Sequence, residues 1–239
     1  MSRRNRPLIR VTAIEAFRRY LANGDNDYYE ITEQSVIDSV TGEFKGNEQT
    51  RIGTAFHKIV QDGDYNLDYD YHAGHYYIDV DGNIVKFTVP QVRVALAYRN
   101  EHPNAYHEFR GYKDYGRAIV TGCADMIDGV EIRDIKTKYS TPSDADYINS
   151  CQWRYYLDIF GADVFHFDLF VFNGYNKDKH GYDVRGLELT RHTPPITCYR
   201  YPEMENDNLA LLNLFMDWAE ARGLTKYLTS KRINQWQKR

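Results

Sequence analysis

The sequence predicts an α/β (α+β) fold in which a central mixed β-sheet is flanked by helices. The first observation is the order of periodic segments, which runs helices, three strands, a helix, two strands and a closing helix. The second is an apolar content of 42% with 15% aromatic residues, enough to bury a sizeable core in 239 residues. We expect an N-terminal helical region, residues 1–104, and a sheet core with a C-terminal helix, residues 105–239, packed as one compact domain.

Apolar spacing predicts the helices of the first region. The first has Thr12 in an N-cap position and ends at Gly24. Residues 64–83 are rich in tyrosine and acidic residues, and their alternation around Asp81-Gly82 predicts a local hairpin or lid. The predicted helical segments are 12–24, 51–61 and 89–103.

The second region begins with strands over 105–138, followed by a helix over 147–160, two more strands over 163–173 and 182–192, and a final helix over 206–223. Asp128-Gly129 lies between two of these strands, and this dipeptide is typical of a two-residue hairpin loop. With that loop, Asp125 is predicted opposite Ile132, and Cys123 opposite Asp134.

This register predicts that Asp125, Asp134 and Lys136 project from one face of the sheet, because strand side chains alternate. Asp125 and Asp134 are then diagonal neighbours about 7–8 Å apart. Two acids and a lysine on a covered face are costly to desolvate, and a divalent cation offsets that cost. The alternative is that Lys136 bridges both acids at an exposed end of the sheet.

The net charge of −4 is unevenly distributed along the sequence. Residues 1–14 and 221–239 carry basic residues without an acid, so the segment between them is strongly acidic. The basic ends are either solvated tails or contacts for phosphates. The cations concerned are Arg3, Arg4, Arg6, Arg10, Arg222, Lys226, Lys231, Arg232, Lys238 and Arg239.

Three cysteines, Cys123, Cys151 and Cys198, are scattered without a C-x-x-C spacing. This pattern favours neither a disulfide framework nor a zinc or iron–sulfur site. The sequence also lacks an apolar run of membrane-spanning length and a secretory signal. We therefore expect a cytoplasmic protein without a membrane partner, and organelle targeting is less favoured.

Four motifs occur in a fixed order that resembles the RecB-like branch of the PD-(D/E)XK nuclease superfamily. The resemblance covers residues 51 to about 173 and implies a restriction-endonuclease-like core. The motifs are GTAFHK with His57, GCADMID with Asp125, RDIKT with Asp134 and Lys136, and QWRYY with Gln152 and Tyr156.

The resemblance also implies the metal ligands. They are Asp125, Asp134, the backbone carbonyl of Ile135 and the imidazole of His57. Many members of this branch place a glutamate where this chain has Gln61, and Glu108 is the proposed substitute. The ion implied is Mg²⁺ or Mn²⁺, and an imidazole ligand favours Mn²⁺. No iron–sulfur cluster is expected.

Further roles follow from the same resemblance. Lys136 would position or deprotonate the attacking water. Gln152 and Tyr156 would contact that lysine or the DNA backbone, and Arg154 and Lys138 are additional candidate nucleic-acid contacts.

The sequence thus favours a metal-dependent DNA nuclease, and more specifically an exonuclease that acts on DNA ends in recombination, repair or phage replication. Recombination or replication proteins are candidate partners, and a bacterial or phage-infected cell is the expected setting. One alternative is a structure-specific or restriction-type endonuclease. Another is a catalytically weakened DNA-binding or regulatory subunit. The tyrosines at 69, 71, 76 and 77 could stack on bases or simply pack on a sheet.

Overall fold

The structure is a computed structural model that describes residues 6–24, 32–43, 46–63 and 67–228. The helices in these ranges are α1 (Val11–Asn23), α2 (Glu33–Thr41), α3 (Glu48–Asp62), α4 (Val89–Glu101), α5 (Asp144–Ile148), α6 (Gln152–Phe160), α7 (Lys177–His180) and α8 (Met204–Ala221). The strands are β1 (Leu8–Arg10), β2 (Asp68–Asp70), β3 (His75–Val80), β4 (Asn83–Thr88), β5 (Tyr106–Asp114), β6 (Ile119–Asp128), β7 (Glu131–Lys138), β8 (Val164–Phe172), β9 (Leu189–Arg191) and β10 (Ile196–Tyr199).

The central sheet has mixed strand directions and is flanked by helices, which confirms the predicted fold class. Its main order is β1-β6-β7-β8-β10, with β5 paired to β6 and β9 paired to β8. The β1–β6 and β7–β8 pairs are parallel, and the other pairs are antiparallel. Strands β2, β3 and β4 form a separate three-stranded sheet that contains the predicted hairpin at Asp81-Gly82.

Two apolar cores lie on the opposite faces of the central sheet. The first contains residues of α1, α6 and α8, such as Phe17, Leu157 and Phe215. The second contains residues of α3 and α4 and of the small sheet, such as Phe56 and Phe87. Tightly packed large side chains on both faces hold the strands between them in fixed positions.

One edge of β6 is shared by β1 and β7, and we call the gap between these two partners the fork. Strand β5 follows one edge of β6 over residues 119–127. On the other edge, β1 pairs with residues 119–121, whereas β7 pairs only with residues 126–128. Between these two partners the Asp125 side chain accepts a hydrogen bond from the Ile135 backbone N–H at 2.7 Å. This side-chain bond holds β7 to β6 at the point where their ladder ends.

The β6–β7 register corrects the predicted one. Ile127 pairs with Ile132 and Asp128 with Glu131, so the loop residues are Gly129 and Val130. Gly129 has φ 61° and Val130 does not have positive φ, the pattern of a type II′ turn with glycine in its first central position. The pairing is therefore shifted by two residues, and the predicted partners Asp125–Ile132 and Cys123–Asp134 are wrong.

The predicted common face of Asp125 and Asp134 is also corrected. Ala124 packs in the core on the α6 side and Met126 packs in the core on the α3 side, so the alternation of β6 is interrupted at Asp125. As a result, Asp125 lies beside His57 of α3, whereas Asp134 contacts Gln152 of α6. The two acids approach the fork from opposite faces of the sheet.

Other differences are local. Helix α1 begins at Val11 after Arg10, so Thr12 is not its N-cap, although Gly24 does end the helix with φ 64°. The helix predicted over 147–160 is two helices, α5 and α6, separated at residues 149–151. The strand predicted near 182–192 is reduced to β9. Among the described helices, none is long and apolar enough to cross a membrane.

Candidate metal centre

Three side chains from three different elements meet at the fork. They are His57 of α3, Glu108 of β5 and Asp125 of β6, and their candidate ligand atoms all lie within 4.8 Å of one another. One imidazole and two carboxylates are a donor set that suits a divalent cation such as Mn²⁺. Glu108 and His57, separated by some fifty residues in sequence, are thus brought to the same place by the fold.

The ring of His57 is oriented by the backbone of β7. Its Nε2 lies 2.7 Å from the Ile135 carbonyl oxygen, and its Nδ1 lies 3.7 Å from Asp125 Oδ1. A neutral imidazole that donates from Nε2 leaves the lone pair of Nδ1 facing the carboxylate. The Ile135 carbonyl, which is one of the predicted metal ligands, thus lies within hydrogen-bonding distance of this imidazole.

Gly53, one turn before His57, allows α3 to lie close to β7. A Cβ atom at this position would be 2.9 Å from Thr137 Oγ1, closer than real Cβ contacts. A larger residue would have to displace the Thr137 side chain or increase the distance between the helix and the strand. The absence of a side chain at Gly53 therefore contributes to the reach of His57 toward Ile135.

Glu108 has an unusual backbone conformation for a strand residue, with φ 50°. Its neighbours His107 and Phe109 pair with Met126 and Ala124, so Glu108 lies opposite Asp125 in an otherwise regular ladder. A left-handed conformation at a residue other than glycine costs free energy, and such residues are concentrated at functional sites. Partial burial raises the pKa of Glu108, and the neighbouring Asp125 raises it further.

Asp134 lies next to this group and is 2% exposed. Its Oδ1 accepts hydrogen bonds from Lys136 Nζ at 2.9 Å and from Gln152 Nε2 at 2.7 Å. Its Oδ2 lies 2.7 Å from Lys136 Nζ but accepts no well-directed hydrogen bond among the described residues. Burial raises the pKa of Asp134 to about 6, Lys136 opposes this rise, and Asp125 adds to it. The hydrogen-bonding capacity of Oδ2 is thus not used up by the described residues.

Lys136 remains positively charged at this site. Burial alone would lower its pKa, but the carboxylates of Asp134 and Asp125 outweigh that effect, and the pKa is raised. Its side chain is 37% exposed.

Glu15 of α1 is a positioning residue that sequence reasoning missed. Its carboxylate accepts a hydrogen bond from the Cys151 backbone N–H at 2.8 Å and is held by Arg18. An acid at the start of a helix stabilises its unpaired N–H groups, which explains why α6 starts there. Glu15 thereby fixes the helix that carries Gln152, and only the folded chain reveals a contact between residues so far apart in sequence.

Two of the predicted nucleic-acid contacts, Tyr156 and Arg154, form hydrogen bonds within the protein. The Tyr156 ring is 5% exposed and its hydroxyl donates to the Cys123 carbonyl at 2.9 Å, so Tyr156 braces β6 instead of facing solvent. Arg154 points away from the fork, where it donates to Tyr201 at 3.2 Å. Lys138 stays near Lys136, and its Nζ lies 5.7 Å from the Tyr147 ring.

The basic ends are accounted for in part. Arg6 is paired with Asp114 and Arg222 with Glu33, so these two cations have protein partners. The cations at positions 3, 4, 231, 232, 238 and 239 lie outside the described residues. In the small sheet, Tyr69 packs against Tyr71 at 5.0 Å and against Tyr76 at 4.8 Å between ring centroids.

Comparison with known proteins gives distant likenesses among solved structures. No family model and no curated protein matches the sequence. Among solved structures, a protein from Eubacterium rectale named "putative exonuclease" is similar over 93% of this chain and 82% of its own, with 11% identity and a TM-score of 0.47. The protein SSO0001 is similar over 89% of this chain and 75% of its own, with 15% identity and a TM-score of 0.37. Both likenesses are weak, so the functional assignment rests on the residues of this chain.

Proposed function

We propose that this protein is a metal-dependent deoxyribonuclease that hydrolyses phosphodiester bonds. The observation that supports the proposal most strongly is the meeting of His57, Glu108 and Asp125 within 4.8 Å beside the Asp134–Lys136 pair. A cluster of acids with an adjacent lysine joins a cation site to a positive group that can face a phosphate.

The residues fit a divalent cation on grounds of their own chemistry. Asp134 Oδ2 is buried and accepts no well-directed hydrogen bond within the described part of the chain, and Glu108 is held in a left-handed conformation opposite Asp125. His57, Glu108, Asp125 and Asp134 would hold Mn²⁺ or Mg²⁺. Such an ion, when bound, would lower the pKa of water and neutralise charge on the phosphate.

The protein groups have distinct tasks in this proposal. Lys136 orients the attacking water and stabilises the negative charge that develops on the phosphate oxygens. Gln152 holds Asp134 in position through its 2.7 Å hydrogen bond. His57 keeps its orientation because Nε2 is engaged by the Ile135 carbonyl.

Within this class we favour an exonuclease that acts on DNA ends. The net charge of −4 disfavours broad, nonspecific coating of duplex DNA, whereas a site recessed in a fork suits the entry of an end. A restriction-type or structure-specific endonuclease would cut closed circles, and the experiment below separates the two.

The test uses end-labelled linear single-stranded DNA, linear duplex and a covalently closed circle, each with Mn²⁺, Mg²⁺ or EDTA. Lys136→Ala is compared with Lys113→Ala, because Lys113 pairs at 2.6 Å with another buried aspartate, Asp158, away from the fork. We expect metal-dependent loss of linear DNA with circles spared. Lys136→Ala should lower the rate by about 100-fold or more, and Lys113→Ala should not.

Each alternative outcome has a defined meaning. Nicked or cut circles would replace the exonuclease by an endonuclease. If no substrate is cleaved but DNA is still bound in EDTA, the protein is a binding module. Equal activity of Lys136→Ala and the wild type would remove Lys136 from the proposed site.

A further inference from the structure

A groove leads away from the proposed metal centre. It has a volume of about 710 Å³ and starts at His57, Ile135 and Lys136. It continues between the first half of α3 and the segments that follow β7 and β8. A volume in this range holds a small ligand or a few units of one polymer strand, and is too small for a duplex. Its walls include Asn47, Thr50, Thr54, Tyr139, Tyr175 and Lys177.

The charge of this groove is opposite to that of the protein as a whole. Its lining contains Lys136, Lys138 and Lys177 and, among the described residues, neither Asp nor Glu. The complete chain has a net charge of −4. Lys177 forms an ion pair with Glu48 at 3.4 Å, but its side chain is 62% exposed, and exposed pairs of this kind are weak. The lining itself is therefore basic, with Lys136 paired at 2.7 Å to Asp134, which lies outside it.

Two tyrosines form one wall and are held rigidly. The rings of Tyr139 and Tyr175 are 4.6 Å apart, and Tyr139 also stacks on Phe172 with an angle of 13° between ring planes. The Tyr139 hydroxyl donates to the Gln49 carbonyl, and the Tyr175 hydroxyl donates to the Gly181 carbonyl. Fixed aromatic rings beside cations are the combination that binds single-stranded nucleic acid, because any base can stack on them.

We propose that this groove binds single-stranded DNA next to the phosphodiester that is cleaved, so that the enzyme needs an unpaired flank on that side. Lys177 contacts a phosphate, and the Tyr139–Tyr175 wall contacts a base. This inference rests on the proposed nuclease function for the position of the cleaved bond. It does not rest on that function for the binding itself.

The first test measures binding of a short fluorescent single-stranded DNA by anisotropy in EDTA, with the full chain. Lys177→Ala is compared with Lys179→Ala, because Lys179 lies on the same short helix but lines a separate cavity with Asp183 and Arg185. Lys177→Ala should weaken binding several-fold and reduce the slope of log K against log salt concentration by about 0.7, the value for one phosphate contact on a single strand. Lys179→Ala should change neither.

A second pair of variants changes the opposite wall. Thr54 is exposed on α3 and lines the groove. Thr54→Glu adds a negative charge there, whereas Thr54→Gln adds a similar volume without the charge. We expect binding of single-stranded DNA to fall by about tenfold for Thr54→Glu relative to Thr54→Gln, because a carboxylate repels the phosphates.

Blunt duplex and single-stranded RNA of the same sequence complete the experiment. Weaker binding of both supports the proposal. Duplex binding as tight as single-stranded binding, or tighter binding of RNA, overturns it, and so does equal behaviour of the Lys177 and Lys179 variants. If the paired variants differ in affinity for single-stranded DNA as expected but no DNA is cleaved, the groove proposal is supported and the nuclease proposal fails. If DNA is cleaved but the paired variants bind single-stranded DNA equally well, only the groove proposal fails.

Discussion

Two buried aspartates on adjacent strands have opposite surroundings. Asp168 of β8 is fully buried and Asp134 of β7 is 2% exposed, and the two lie one position apart in the β7–β8 register. Asp168 accepts hydrogen bonds from Arg133 at 3.0 Å, Arg191 at 3.1 Å and Tyr98 at 2.8 Å. Asp134 is bonded by Lys136 and Gln152.

The difference lies in how completely the protein compensates each charge. Two guanidinium groups and a hydroxyl surround Asp168, so its carboxylate is satisfied within the fold. Asp134 has one cation, which is also 37% exposed, and it has Asp125 as a negative neighbour. A buried acid with full protein partners stabilises the structure, whereas a buried acid with remaining capacity suits an added cation.

The largest effect is expected for Asp168→Ala. This substitution removes the buried carboxylate shared by the partly buried Arg133 and Arg191, which keep only Glu131 and Glu101 as acidic partners among the described residues. Removal of one partner from a buried network of this kind costs about 3–5 kcal/mol. The measurement is urea unfolding, with Asp163→Ala as the control because the Asp163 side chain is 80% exposed. A loss of unfolding free energy below about 1 kcal/mol would contradict the stabilising role assigned to Asp168.

Asp134→Asn should act on metal binding. Wild-type protein with Mn²⁺ at 100 times its Kd should gain about 2.7 kcal/mol in unfolding free energy, and the variant should lose most of this gain. Asp158→Asn is the matched control, since Asp158 is also buried and paired with a lysine but lies away from the fork. Thermal unfolding with and without Mn²⁺ measures both. If Asp134→Asn kept the full gain in unfolding free energy with Mn²⁺, Asp134 would be no more important for metal binding than Asp158.

Gly53→Ala tests the close approach of α3 to β7 beside the proposed metal centre. The added Cβ atom would meet Thr137 Oγ1 at 2.9 Å, so we expect a loss of about 1–2 kcal/mol in unfolding free energy and weaker binding of Mn²⁺. Thr137→Ala removes the obstructing oxygen, and the double variant should recover metal affinity. Recovery measured by titration calorimetry supports the steric explanation, and no recovery rejects it.

The smallest effect concerns His166, on the side of Asp168. Burial lowers the pKa of His166, and Arg133 lowers it further, although Glu131 and Asp168 oppose the shift. A histidine whose pKa is lower in the folded state contributes stability above its ordinary pKa of about 6.5, and this is lost as the pH falls. His166→Gln should therefore flatten the decline of unfolding free energy from pH 7 to pH 5 by less than about 1 kcal/mol. The same substitution at exposed His72 should leave the decline unchanged.

Much of the fold follows from periodicity. The stripe that contains Phe56 predicted α3, and the strand patterns predicted β5, β6, β7 and β8. Short elements such as β1 and β10 have too few residues for a periodic signal, and their pairing is fixed by distant partners. The start of α6 is supported by Ser150, which accepts a hydrogen bond from the Gln152 N–H, and by Glu15 of another helix, a contact that the local sequence could not indicate.

The candidate site was predictable as a set of residues but not as a geometry. His57, Glu108 and Asp125 were all identified from the sequence, and the fold places them together. The hairpin register was wrong because Asp-Gly and Gly-Val offer competing loop positions, and the II′ turn places Gly129 first. The position of Asp125 on the opposite face of the sheet from Asp134 could not be predicted, because the interrupted alternation of side chains along β6 leaves no signal in the local sequence.

The conformation of Glu108 has a consequence for the behaviour of the protein in concentrated solution. Strand β5 pairs with β6 on one side and, among the described strands, forms no pair on the other. A long free edge of this kind can recruit strands from other molecules and begin aggregation. The left-handed residue in the first half of β5 turns the local peptide groups out of line, so an incoming strand cannot form an unbroken ladder. The same residue that supplies a carboxylate to the fork thereby also helps to keep separate molecules apart.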